Sequence, residues 1–294
     1  MEASPLISIG LPISLFIIMV GMGMTLTIGD FRNVAVNPRG ALVGTLAQIV
    51  LMPALAFALI WALSLPPAMA VGLVIIAACP GGTTSNLFAF LARGNVALSI
   101  VLTVLASLIT IVSLPLLTNF ALERFMGEGA QIQLPVLKTI GTLVAIILLP
   151  VAIGMTVRSR APELARRAES AVSVFGGIVL AALIVGLMLG SGDQIPELLR
   201  QGGPAAIALN LLGIGAALLL GRAAGLSHHD AITISVELGV KNATLGLLVT
   251  LTLLESSAMS VPSAVYGIFM FFFGFALAAY GRRRFAAEMP AANA

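Results

Sequence analysis

Long apolar runs separated by short polar connections organise this chain. A bilayer-spanning helix needs about 20 apolar residues. On that measure the pattern predicts nine spans, at approximately 6–28, 40–64, 68–92, 95–120, 134–157, 168–190, 203–224, 230–254 and 259–281. Membrane β-strands are about half as long and alternate in polarity, so a barrel is excluded and an all-α polytopic membrane protein is expected. The connections hold Pro, Gly and charge, as in Asn37-Pro38-Arg39-Gly40, Leu65-Pro66-Pro67, Arg93-Gly94-Asn95 and Gly127-Glu128-Gly129. None is long enough to separate two soluble domains, so residues 1–294 read as one transmembrane unit. The first run lacks a basic segment before it and a small-residue cleavage site after it, and is expected to be retained.

Two spans break the pattern. The third reads Cys79-Pro80-Gly81-Gly82-Thr83-Thr84-Ser85-Asn86. Proline removes a helical hydrogen bond and the glycines loosen the next positions. In hydrocarbon such a break survives only where protein or water satisfies the freed backbone. Freed carbonyls and side-chain oxygens suit a hard cation, and freed N–H groups suit an anion. The eighth span carries Glu237, Gly239, Lys241, Asn242 and Thr244. A charge at mid-bilayer costs roughly 2.5–3.5 kcal/mol on insertion scales, so an ionisable pair there points to function. The plainer reading is that Glu237 and Lys241 neutralise each other, four residues apart on one helix face. Two interrupted spans in corresponding positions are the sequence mark of an inverted-repeat transporter with a site at the midplane. The interruptions lie five spans apart, and an odd repeat unit inverts orientation. The register fits a five-plus-five plan whose first helix is missing.

Other polar residues inside spans are candidate liners. Gln48 precedes Met52-Pro53, Ser99 and Thr103 share a helix face at i and i+4, and Asn210 lies in the seventh span. Taken singly, such residues more often bond helix to helix. His228 and His229 are expected in an inner-edge loop, and the Phe269–Phe275 run in packing or lipid contact.

Composition agrees with the pattern. Of 294 residues 59% are hydrophobic and 9% charged, where a soluble domain carries about 25% charged residues. The net charge of +3 comes from arginines in the connections, so nucleic acid is not an expected partner. With the N-terminus outside, Arg32, Arg39, Arg93, Arg158, Arg160, Arg166, Arg167, Arg222, Arg282, Arg283 and Arg284 fall inside, and only Arg124 and Arg200 outside. That is a strong positive-inside bias, with the C-terminus cytoplasmic. Lys138 can snorkel to the outer surface; Lys241 cannot. Cys79 is alone and forms no intrachain disulfide.

The strings Cys79–Asn86, Arg93–Ser99 and Glu237–Asn242 resemble the bile acid:sodium symporter family. So do Gly21–Leu26 before Asp30-Phe31, and Gln48 before Met52-Pro53. The resemblance covers essentially the whole chain and implies a bacterial inner-membrane member in the nine-helix form. It implies two broken, crossing helices (spans three and eight), a core domain at about 40–120 and 203–281, and a panel domain at about 6–28 and 134–190. The implied activity is sodium-coupled symport of an organic anion by alternating access. The anion is bile-acid-like or a small carboxylate such as pantoate.

Carried over by motif, a first sodium site comprises Ser85, Asn86, Ser99, Thr103 and Glu237. A second-cation region comprises Gln48, Glu237, the backbone at Leu238 and Val240, and position 241. Thr83, Thr84, Asn242 and Thr244 are expected to line the substrate site. The family commonly has Gln where this chain has Lys241. An ammonium has three donors and no acceptor, so it cannot ligate sodium. The expectation is that it occupies the second sodium's place, with Glu237 and Gln48 as partners. A proton-coupled organic anion transporter or exporter is the alternative, since a buried lysine can titrate. An enzyme is not expected: neither histidine lies beside an intramembrane serine, and no Asp-rich metal motif occurs. A channel fits the interrupted helices less well. Sodium is the expected coupling ion, and no cofactor is expected.

Overall fold

The computed structural model describes residues 9–30, 38–127 and 134–285. Phe31, Arg32, Asn37, Glu128 and Gly129, named above, lie outside the described residues. Among the described residues every regular element is a helix, and the single β-type contact is one antiparallel bridge between Gly81 and Lys241.

The helices are α1 (Leu11–Met24), α2 (Pro38–Leu63), α3 (Pro67–Ala78), α4 (Ser85–Leu91), α5 (Val96–Met126) and α6 (Val136–Arg160). They continue with α7 (Pro162–Ser191), α8 (Ile195–Ala223), α9 (His228–Gly239), α10 (Ala243–Leu253) and α11 (Ser257–Arg284). By length and composition, α2, α5, α6, α11 and the stretch Pro162–Ala223 that holds α7 and α8 can each cross a membrane. The apolar helices α1, α3 and α10 are shorter, at 10–17 residues. For α3 and α10 the reason is the polar interruption, which ends one helix and starts another within a single apolar run. Leu189, Ile178, Leu219 and Phe272 are exposed on the outer faces, a surface that suits lipid better than water.

Local signals set the ends. Asn95 caps α5 by accepting the Leu98 N–H at 3.1 Å, and Ser227 caps α9 by accepting the Asp230 N–H at 3.1 Å. Ser64, at φ 48°, turns the chain out of α2 ahead of Pro66-Pro67. Inside α2, Ala47–Leu51 widens into a π-helical turn just before Pro53. Proline brings no N–H to the ladder, and the wide turn absorbs the missing bond. The same device recurs at Val144–Leu148 before Pro150.

Two groups of helices result. α1 packs along α6 and α7. The approach is backbone to backbone: a Cβ on Gly23 would stand 2.2 Å from the Val151 carbonyl oxygen, and one on Gly154 2.1 Å from that of Val20. The other group sets α8 and α11 around α3, α9 and α5. The end of this group that holds Arg93 and Arg282 is tied by polar contacts. Arg93 donates to the Phe285 carbonyl at 3.1 Å, Arg282 to that of Leu91 at 3.1 Å, and Asn95 to Asp230 at 2.8 Å. The two histidines are not in a loop: they open α9. His229 hydrogen-bonds the Arg93 carbonyl through Nδ1, and its ring stacks on Phe285 with centroids 4.0 Å apart. Its role is to anchor the helix end.

Candidate functional site

The interrupted helices meet at the centre of the second group. α3 stops at Ala78, and Cys79 is extended at φ −63°, ψ 148°, as expected of a residue before proline. α9 runs through Gly239 and leaves helical geometry at Val240, φ −115°, ψ 86°. Gly239 is still helical and permits close packing, since a Cβ there would lie 2.7 Å from Ile214 of α8. The two extended pieces pair antiparallel. Gly82 N–H donates to the Val240 carbonyl at 2.8 Å, and Asn242 N–H to that of Pro80 at 2.9 Å.

Carbonyls orphaned on each side of the breaks find donors, as burial in a membrane favours. Thr110 donates to Ala78 at 3.3 Å. On the other helix Asn210 donates to Gly239 at 3.1 Å, and the Tyr266 hydroxyl to Leu238 at 2.5 Å. Lys241 Nζ donates to Cys79 at 2.8 Å and to Ala77 at 3.3 Å. Tyr266 and Thr110 were missed in the sequence. A tyrosine in a Phe-rich apolar run was the available signal, because a buried hydroxyl needs a partner.

Glu237 is fully buried, and α5 presents its hydroxyls to it. Ser99 Oγ donates to Oε1 at 2.5 Å, and Thr103 Oγ1 lies 2.9 Å from Oε2. Ser85 Oγ lies 3.3 Å from Thr103 Oγ1. One helical turn separates Ser99 from Thr103, so both reach the same carboxylate. Asn86 Oδ1, one residue beyond Ser85, is buried without a hydrogen-bond partner. This gathers carboxylate and hydroxyl oxygens in one place, the donor chemistry of a hard cation, with an unpartnered amide oxygen on the same helix as Ser85.

The Lys241 ammonium has neither of the partners that the two sequence readings gave it. Glu163 pairs with Arg166 and Arg167, and Glu197 with Arg200, on the surface, and no ion pair within 4.0 Å joins Glu237 to Lys241. Glu237 and Lys241 are therefore not neighbours on one helix face, because the interruption lies between them. Nor does the ammonium bond to Glu237 or Gln48. Gln48 Oε1 accepts the Gly81 N–H at 3.1 Å, leaving its Nε2 buried without a partner. From its place across the bridge, the Lys241 side chain reaches the C-terminal end of α3 instead. The last carbonyls of a helix lack internal partners, and that end carries partial negative charge. The lysine supplies both donors and a positive charge there.

A solvent-open cleft lies against the paired segments. Gly82, Thr83, Thr84, Asn242 and Thr244 form its polar side. Ile18 of α1, Gly176, Gly177 and Leu180 of α7, and Met270 and Phe271 of α11 face them. The cleft thus lies where the two helix groups meet. Among the described residues the backbone N–H groups of Thr83 and Thr84 have no hydrogen-bond partner. A Cβ on Gly177 would meet no atom within 4 Å, so that glycine keeps the cleft open.

The sodium bile acid symporter family model matches residues 12–198. The chain belongs to this family. A rice protein, a probable chloroplast sodium/metabolite cotransporter, is 32% identical over 92% of this chain and 64% of its own length. An uncharacterised sodium-dependent transporter of Bacillus subtilis is 31% identical over 95% of this chain and 84% of its own. The human ileal sodium/bile acid cotransporter is 31% identical over 82% of this chain and 69% of its own. The chain spans less than two thirds of the rice protein's length. All three relatives are named as transporters, in line with the expectation that this family member is not an enzyme.

Proposed function

We propose that this protein is a sodium-coupled symporter that carries an organic anion across a bacterial inner membrane by alternating access. The observation that carries the reading is the fully buried Glu237 carboxylate, ringed by oxygens of α4 and α5 where two interrupted helices cross. A buried carboxylate needs compensating charge, and Ser85, Asn86, Ser99, Thr103 and Glu237 supply the ligands for one sodium ion. The anion's carboxylate sits in the cleft, on Thr83, Thr84, Asn242 and Thr244, with the apolar side of the cleft covering its body.

Sodium and anion then lie on the two sides of the paired segments Cys79–Thr84 and Val240–Asn242, so each fixes the geometry the other needs. The helices at about 40–120 and 203–281 form the core that holds this crossing, and those at about 6–28 and 134–190 form the panel. Sliding between the two exposes the cleft alternately. The reading includes nine crossings with the N-terminus outside and an inverted five-helix repeat lacking its first helix.

In the second-cation region Gln48, Leu238 and Val240 already accept hydrogen bonds from Gly81, Tyr266 and Gly82. The Lys241 ammonium stands there as a permanent cation, and a single sodium ion couples to the anion.

The test is uptake by purified protein in liposomes. An inward sodium gradient drives saturable accumulation of a small carboxylate or bile-acid-like anion, and replacing sodium with potassium stops it. Uptake driven by a proton gradient without sodium would overturn the reading in favour of proton coupling. A variant adds an independent check. A Cβ at position 81 would lie 2.2 Å from Glu237 Oε2 and 3.3 Å from Thr103 Oγ1. Gly81→Ala is therefore expected to remove the sodium-induced rise in melting temperature while leaving helix content by circular dichroism unchanged.

A further inference from the structure

The crossing holds one negative and one positive side chain, both fully buried and not in contact: Glu237 on α9 and Lys241 just beyond it. The groups facing them add no charge. Gln48 comes from α2, Ser99 and Thr103 from α5, Asn210 from α8 and Tyr266 from α11. Cys79 is the remaining titratable neighbour, a buried free thiol. Without cargo the crossing is therefore neutral. One sodium ion makes it +1, and one monoanion returns it to zero. A dianion would leave a net negative charge in a poorly solvated place. So would a monoanion without sodium, and charges left unbalanced there are costly.

We propose, resting on the sodium-symport reading, that the cargo is one sodium ion with one monovalent organic anion, and that the full cycle moves no net charge. Lys241 determines this, because it supplies permanently the positive charge that a second sodium would otherwise bring. Both states that must reorient, empty and fully loaded, are then neutral at the crossing. Accumulation follows the sodium gradient alone and ignores the membrane potential. The cargo class is a monovalent organic anion, with its carboxylate on the polar side of the cleft formed by Thr83, Thr84, Asn242 and Thr244.

The experiment uses full-length protein in liposomes with labelled pantoate, pyruvate, lactate, succinate and taurocholate. The equilibrium accumulation ratio is read under a fixed sodium gradient, with and without a potassium diffusion potential of about 100 mV, inside negative. One net charge per cycle is worth about 2.3 kcal/mol per 100 mV, a change of about fiftyfold in that ratio. For this protein the ratio for the carried monoanion is expected to change less than about twofold, with succinate not carried. Lys241→Gln removes the fixed charge, so a second sodium accompanies the anion and the variant gains the fiftyfold response. Sodium-driven uptake that already responds fiftyfold in the unaltered protein overturns this inference alone. So does preferred uptake of succinate. Absence of sodium-driven uptake for every anion overturns the symport reading beneath it. If the variant fails to fold, the potential response of the unaltered protein still decides.

Discussion

Glu237→Gln is expected to abolish sodium-driven uptake and the protection that sodium gives against heat. The carboxylate contributes the only negative charge at the crossing, and it accepts from Ser99 and lies against Thr103 within hydrogen-bond distance. A glutamine keeps the shape but presents one carbonyl oxygen and one NH₂ group to hydroxyls arranged around two acceptors. Replacing groups that merely support a metal ligand typically costs ten- to hundredfold in affinity, so losing the charged ligand is expected to cost at least about a hundredfold. The fold should survive. The substitution removes the cost of burying the carboxylate but leaves the Lys241 charge without its balance, two effects of opposite sign, so the melting temperature without sodium should shift little, and only the sodium-induced increment should vanish. A fall in the sodium-free melting temperature, with the increment intact, would mean that Glu237 serves packing and not sodium. Differential scanning fluorimetry across a sodium titration reads both quantities.

Replacing Lys241 has the second large effect, and two variants divide its causes. In Lys241→Gln the fixed charge is gone and the negative Glu237 faces a crossing with vacated carbonyls at Ala77 and Cys79. A second sodium ion is then expected to bind, and the dependence of uptake on sodium concentration steepens from a Hill coefficient near one to a value near two. Lys241→Met keeps the length of the side chain and removes both charge and donors. It leaves those two buried carbonyls unpaired, at about 1–3 kcal/mol each, and is expected to lower the melting temperature and stop uptake. Restoration of wild-type behaviour by Lys241→Met would show that the ammonium has no part in coupling, since only bulk would then matter.

The sequence made the chemistry at the crossing legible before any geometry. Polar residues in apolar runs are costly, so Cys79–Asn86 and Glu237–Thr244 stood out, and the i, i+4 spacing of Ser99 and Thr103 already set both hydroxyls on one face. The partners of Lys241 were not legible. They are main-chain carbonyls of a distant helix end, brought within reach only when Gly81 and Lys241 pair across the crossing. The same holds for Tyr266, whose hydroxyl finds the Leu238 carbonyl only after α11 has packed on α9. His229 misled for a related reason. Two histidines after Gly225 and Ser227 read as a loop, yet Ser227 caps a helix there and Phe285, from the far end of the chain, covers the ring. Side-chain type indicated where chemistry sits, while contacts to the main chain depended on the assembled helices.

The central claim is that one sodium ion, held at Glu237, accompanies each anion because Lys241 fills the place of another cation. Dual-label flux tests it most directly: initial influx of radiolabelled sodium and of the carried monocarboxylate, measured together in the same liposomes. The account predicts a ratio of one sodium per anion, rising to two in Lys241→Gln. A ratio of two in the unaltered protein, or sodium influx that does not depend on the anion, would contradict it.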